Sequence, residues 1–264
     1  MNEVNVLIVV EGKRAEPNFF NQIKRVYNLN FNIYCLETNI YRLYREMKKL
    51  DFNGNLKDVL LSLHNTDEYK EVLHKKFAFT YLIFDFDPHH TEEYEKNKPI
   101  EEIVSDNIQK INDMTEYFID ETDPTVGRLY INYPMLESYR DCDTFFDENY
   151  INNYVDIQNI REYKKIAGTK KLANIRIDKY TQDNFESLSK INLYKLSHIL
   201  FNKWKAVPYS QYRLASTPSF ILSKEAEIVT SSGRVAVLNT SLFLLLDYYG
   251  NRNGFYDKVI NKST

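Results

Sequence analysis

Val4-Asn5-Val6-Leu7-Ile8-Val9-Val10-Glu11-Gly12-Lys13-Arg14-Ala15-Glu16-Pro17-Asn18-Phe19-Phe20 is the stretch on which the fold turns. Residues 4–10 are, Asn5 apart, apolar and largely β-branched. Such a run suits a strand covered by helices on both faces, the setting of a parallel sheet. Glu3 stands where a signal peptide carries its basic flank, and no small-residue cleavage site follows, so the run reads as a buried strand rather than a leader. It ends abruptly at Glu11-Gly12. From Pro17 onward apolar residues recur at helical spacing, at Phe19, Phe20, Ile23 and Val26 or Tyr27. Pro17 fits a first helical turn, where a missing N–H costs nothing. Gly12 permits a turn that residues with a Cβ resist.

Working outward, residues 31–36 read as a second strand, and residues 40–50 and 56–63 as helices separated by the Asn53-Gly54 turn signal. Residues 77–84 are an apolar and aromatic run too short for a helix, closing on Asp85-Phe86-Asp87-Pro88; they predict a central strand. A helical stripe follows over 100–118, then a strand over 126–133. Pro134 can start a helix holding Met135, Leu136, Tyr139, Cys142 and Phe145, with Glu137 in its first turn. Strands alternating with helices predict an α/β domain over residues 1–150, a mostly parallel sheet flanked by helices. Residues 151–264 predict a mainly helical extension. It has a basic loop at 164–171, helices at 188–204 and 211–225, a short strand at 234–238 and an apolar helix at 241–249 stopped by Gly250.

At 264 residues the chain exceeds the common size of one domain, about 100 to 200 residues, which favours a core with an appendage. No apolar run approaches 18 residues, which excludes a spanning helix and predicts a soluble protein without a membrane partner. Two cysteines, Cys35 and Cys142, supply neither a disulfide framework nor a four-cysteine zinc site, and a reducing cytoplasm fits. The net charge of −3 hides an asymmetry. Residues 151–264 hold 17 Lys or Arg against 9 Asp or Glu, a net +8, which leaves 17 against 28, a net −11, for residues 1–150. An acidic half can hold cations and a basic half phosphates, although both charge sets also suffice to solvate helix faces.

Ligands in open α/β sheets collect beyond the carboxyl ends of the strands. That rule selects Glu11 after the first strand and Asp85 and Asp87 after the 77–84 strand. Acids at the tips of apolar strands are costly unless a metal, a partner or water compensates them. With no His or Cys among the nearest candidates, the donor set is hard oxygen, which favours Mg²⁺ or Mn²⁺ over zinc. Lys13 and Arg14 precede the next helix and can meet phosphate there. Structural readings stand beside these. Glu11 can cap a helix, Asp85 and Asp87 can form the turn before Pro88, and Glu16 and Glu137 can be ordinary acids of a first helical turn. His89 and His90 read as surface-loop residues. Lys164, Lys165, Lys170 and Lys171 form the basic loop, where tyrosines among the chain's 21 could offer stacking platforms to nucleic acid, or simply fill core and rim.

Residues 9–20, from Val9-Val10-Glu11-Gly12 to Glu16-Pro17-Asn18-Phe19-Phe20, resemble the first motif of Toprim domains, and the Glu-Pro-Asn-Phe-Phe continuation resembles the RloB-like branch. Asp85-Phe86-Asp87 is similar to the second Toprim motif. Asn132-Tyr133-Pro134-Met135-Leu136-Glu137 is similar to an Asn-Pro-x-x-x-Glu segment of RloB-like proteins, with Tyr133 inserted. The resemblance spans roughly residues 4–145. It implies a Toprim fold and a nuclease related to the OLD (overcoming lysogenization defect) group. Glu11 would then be acid/base or metal ligand, Asp85 and Asp87 would hold divalent metal, Glu16 would ligate a second ion, and Glu137 would complete the set. Two Mg²⁺ or Mn²⁺ ions would clamp the attacking and leaving oxygens of a phosphodiester. The resemblance further implies an anti-phage effector, similar to AriB-like effectors of the PARIS system. It would act on RNA or DNA, with tRNA as one substrate, beside a partner ATPase, and a homodimer is compatible with it. The alternative is a Toprim module that binds nucleic acid or the ATPase without cutting. Dehalogenase-type phosphatases and glycosyltransferases also use Asp-x-Asp, but both leave Glu11-Gly12 without a task.

Overall fold

The computed structural model describes residues 4–64, 66–92, 95, 97–250 and 254–262. β1 (Asn5–Val10) pairs in parallel with β2 (Asn30–Cys35) on one side and β3 (Phe79–Asp85) on the other. β5 (Gly127–Asn132) and the two-residue edge strand β4 (Ile119–Asp120) complete a sheet of order β2-β1-β3-β5-β4, with β4 and β5 antiparallel. The mostly parallel sheet expected from the alternation is therefore present. Val6 to Val10 have no exposed surface, as the unbroken apolar run required. Each such side chain contributes roughly 1.5–3 kcal/mol on burial, so this strand anchors the sheet.

Five helices accompany these strands among the described residues: α1 (Ala15–Tyr27), α2 (Ile40–Lys49), α3 (Leu56–Leu63), α4 (Asp67–Leu73) and α5 (Ile100–Tyr117). Asn39 and Asn55 cap α2 and α3 by accepting from the Arg42 and Lys57 N–H groups, which fixes where both helices begin. α4 leaves no periodic signal in the sequence, because its seven residues make too few turns; its start is set by the Thr66 cap.

The chain divides into two compact units, residues 1–20 with 29–130 and residues 21–28 with 131–264. The change of composition in the sequence falls later, near residue 150. The later unit also takes in part of α1, where Gln22 donates to the Tyr180 carbonyl and Arg25 to that of Asp178, partners more than 150 residues away.

In the second unit, β6 (Tyr154–Asp156) and β7 (Arg234–Ala236) form an antiparallel pair. Its helices are α6 (Tyr163–Gly168), α7 (Gln182–Phe201), α8 (Tyr209–Ala215), α9 (Pro218–Ser232), α10 (Phe243–Tyr249) and α11 (Phe255–Asn261). Several expectations are corrected here. Pro134 follows a cis peptide and starts no α-helix; a 3-10 helix, Leu136–Arg140, takes that place. The supposed basic loop is α6 followed by a 3-10 turn, Lys171–Asn174, because Tyr163 and Ala167 are buried four residues apart on one helical face. α7 starts at the Thr181/Asn184 capping box, well before residue 188. The helix expected over 211–225 is two helices, since Pro218 can only open a new one.

The second unit also buries charge. Lys195 is fully buried beneath the Tyr154 ring, at 4.0 Å from its centroid, and donates to the carbonyls of Ile151 and Asn153 at 2.7 and 2.9 Å. Glu225, also fully buried, accepts from the Ala236 N–H at 3.0 Å. Burial pulls the lysine down and pushes the carboxyl up, each shift opposed by the charge of the other. Both groups are tied to backbone, a structural role.

Gly127 offers a test of the sheet. Its φ is +85°, and an added Cβ would stand 2.8 Å from Leu82 Cδ1, 2.9 Å from Thr80 Cγ2 and 3.2 Å from the Thr80 carbonyl oxygen. Strain and overpacking coincide there. Gly127→Ala is expected to cost about 2 to 4 kcal/mol, read as a lower urea midpoint at unchanged slope; a midpoint equal to wild type would contradict the packing described.

Candidate metal and phosphate site at the strand ends

Parallel pairing of β1 with β3 puts Val10 opposite Ile83. Glu11 lies one residue beyond Val10, Asp85 two beyond Ile83, and Asp87 two further on. These acids therefore leave two adjacent strands at the same edge of the sheet. All three are partly exposed, so a ligand from solvent can reach them. The β2 side adds a fourth. Leu36 and Glu37 donate their N–H groups to the Val10 and Glu11 carbonyls at 2.7 and 2.9 Å, which extends the β1–β2 ladder past its last strand residue and sets Glu37 beside Glu11.

Gly12 does not serve the turn expected of it. It is absent from the positive-φ residues, so no left-handed turn requires it. Instead the Glu16 side chain folds over it, and an added Cβ would lie 2.8 and 3.1 Å from the two Glu16 carboxylate oxygens. Glu16 thus lies close to Gly12 at the opening of α1 and at the same end of β1 as Glu11.

Lys13, expected to meet phosphate, pairs with Glu37 at 2.6 Å. Tyr69 also donates to that carboxylate, at 3.1 Å. The Lys13 hydrogen bond holds the Glu37 carboxyl below its usual range. Cys35, the last residue of β2, has its thiol pushed up by burial and by the charges of Glu16 and Glu37. Arg14 is exposed beside the start of α1.

The loop carrying Asp87 is held from two helices. Tyr41 on α2 donates its hydroxyl to the Asp87 carbonyl at 2.5 Å, and Asn107 on α5 donates to the Pro88 and His90 carbonyls at 2.9 and 2.7 Å. His90 stacks on Tyr41, with centroids 4.7 Å apart and planes 7° apart, while Asn39 lies 3.3 Å from its Nδ1 and Glu92 3.2 Å from its Nε2. His89 is buried. Neither histidine is the surface-loop residue expected. Burial raises the Tyr41 phenol well above its ordinary range, and the charges of Asp87, Glu11 and Glu95 add to the rise. One phenol thus feels carboxylates from both strand ends.

The other expected site residues belong to the second unit. Glu137 lies on its 3-10 helix, 6% exposed, with one oxygen 3.2 Å from Lys164 Nζ and the other without a hydrogen bond. Lys165 pairs with Glu162, and Lys171 donates its N–H to Asp143 at 3.1 Å. Lys170 lies between α6 and the following 3-10 turn, partly exposed. Lys164 and Lys165 are therefore compensated by neighbouring acids.

Does this edge suit a divalent ion? Hard carboxylate oxygens from two adjacent strand ends match the chemistry of Mg²⁺ or Mn²⁺. Among the described residues, however, no group of three or more His, Cys, Asp or Glu side chains is gathered closely enough to hold a metal by itself. Mg²⁺ is commonly held by one or two carboxylates together with waters and substrate phosphate rather than by an all-protein cage. The donor chemistry fits an ion of that kind.

Three residues of this site escaped the sequence reading. Glu37 is selected by the same strand-end rule that found Glu11, once residues 31–36 are read as a strand. Asn107 interrupts the buried stripe of α5 between Ile103 and Ile111, a signal that its amide has a buried acceptor. Tyr41 carries no signal beyond its place on a helical face.

Gly12→Ala contrasts with Gly127→Ala, because what it meets is the end of a flexible side chain rather than backbone. It is expected to cost less than about 1 kcal/mol in urea unfolding, with Glu16 displaced; a cost of several kcal/mol would show that Glu16 is fixed in place.

No family model matches the chain, and neither any curated protein nor any solved structure does.

Proposed function

We propose that the chain is a divalent-metal-dependent nuclease whose centre is the strand-end edge of Glu11, Asp85 and Asp87. The observation that carries this reading is the parallel β1–β3 pairing, which brings acids from sequence-distant loops to the same end of two neighbouring strands, with Glu11 one position short of Asp85 in register. The order of the Toprim-like segments along the chain supports it. Asp85 and Asp87 would hold the ion, with Glu16 and Glu37 at the same end of the neighbouring strands. A bound divalent ion supplies polarisation of a phosphoryl oxygen and a more acidic water.

The chain's own residues account for the rest. Glu11 would take a proton from the attacking water and return it to the leaving oxygen. Arg14 and the first turn of α1 would orient the phosphate, where N–H groups and the helix dipole favour anions. Lys13 would join them by exchanging Glu37 for phosphate. The substrate class is a nucleic-acid phosphodiester, RNA or DNA, with tRNA as the form suggested by the AriB-like resemblance. An anti-phage role and a partner ATPase rest on that resemblance alone.

A second reading, a module that binds nucleic acid or a partner without cutting, is favoured by one observation: the acids are not already gathered into a group of three. Metal discriminates the two. Millimolar Mn²⁺ or Mg²⁺ is expected to raise the melting temperature of the wild type by several degrees and to leave Asp85→Ala unchanged. Cells expressing wild type are expected to accumulate nucleic-acid ends absent from cells expressing Glu11→Ala. No metal-dependent shift together with identical end profiles would refute the nuclease reading in favour of the binding module.

A further inference from the structure

The geometry points to Tyr41 and Asn107 as positioning residues that set where the Asp87 carboxylate stands, a role that rests on the reading of Asp87 as a metal-holding acid. Buried carbonyls ordinarily find backbone donors. In the loop after β3, the carbonyls of Pro88 and His90 take the Asn107 amide, and that of Asp87 takes the Tyr41 hydroxyl in addition to a local backbone donor. Both donors are buried, Asn107 completely, and they come from different helices. A backbone bond from the His90 N–H to the Asp87 carbonyl at 3.2 Å closes the turn locally.

Each clamp residue is itself fixed. Tyr41 has the His90 ring stacked against it, and Lys110 donates to the Asn107 side-chain oxygen at 3.1 Å. Two helices therefore define the height and rotation of the backbone from which Asp87 projects. Without a preassembled cage, the affinity of this edge for an ion depends on how narrowly its carboxylates are confined. A loop free to move by an ångström would spread them. Residues that orient metal ligands in this indirect way typically change affinity by about 10- to 100-fold when removed.

The test measures the ion directly. Mn²⁺ is titrated into the folded full-length protein well below its melting temperature, with free Mn²⁺ read by electron paramagnetic resonance, for wild type, Asp87→Ala, Tyr41→Phe and Asn107→Leu. Melting curves in chelator report stability separately. Tyr41→Phe removes one hydroxyl and keeps the ring that stacks on His90; should Asn107→Leu lack a cooperative melt, Tyr41→Phe decides alone. The expected result is Mn²⁺ binding by wild type, loss in Asp87→Ala, and affinity weakened about 10-fold or more in the clamp variants while they remain folded. Wild-type affinity in a folded Tyr41→Phe, with loss in Asp87→Ala, would overturn the clamp and leave the metal reading standing. No binding by wild type, or undiminished binding by Asp87→Ala, would overturn both.

Discussion

The parallel pairing of β1 with β3 is the constraint from which the site follows. Backbone hydrogen bonds fix the register at Val10 opposite Ile83, and the apolar side chains of both strands make slippage costly, because a one-residue slip would turn each strand's side chains to the other face. Once the register is set, Glu11 leaves β1 one position short of Asp85, the last residue of β3. Glu11 and Asp85 need no recognition of each other. They share one end of the sheet because two buried parallel strands run side by side and end within two residues of each other.

Around that edge the surrounding chain does two kinds of work. Helices α2 and α5 hold the loop after β3 through its carbonyls, leaving the Asp87 side chain uncommitted by those bonds. On the β2 side, Glu37 has a left-handed φ of 59°, costly for a residue with a Cβ, and its carboxylate is occupied by Lys13 and Tyr69. The acids are thus arranged on a shared edge without being drawn into a closed cage. Such an arrangement suits a hard cation that retains water and takes part of its coordination from a phosphate.

The residues that announced this site in the sequence are those whose signal is local. An unbroken apolar run ending in an acid states both a buried strand and an acid at its carboxyl end, so the places of Glu11 at the end of β1 and Asp85 at the end of β3 could be read directly. Residues whose role depends on distant partners were not legible in that way. Asn107 and Tyr41 act on a loop some twenty to fifty positions away, and nothing nearby says so. Gly12 was noticed for the wrong property: the space it leaves for Glu16 matters, not its freedom at positive φ. The basic stretch at Lys164 to Lys171 read as a loop because charge dominated its appearance, whereas Tyr163 and Ala167, buried four residues apart, make it helical. The fate of residues 21–28 depends on carbonyls of Asp178 and Tyr180, which no window along the chain contains.

Anomalous diffraction from crystals of the full chain soaked in Mn²⁺ addresses the central claim most directly, since it locates the ion without reference to activity. A peak within coordination distance of Asp85 or Asp87 and adjacent to Glu11 is expected. A well-ordered crystal with no peak at this edge, or with its peak elsewhere on the protein, would contradict the assignment.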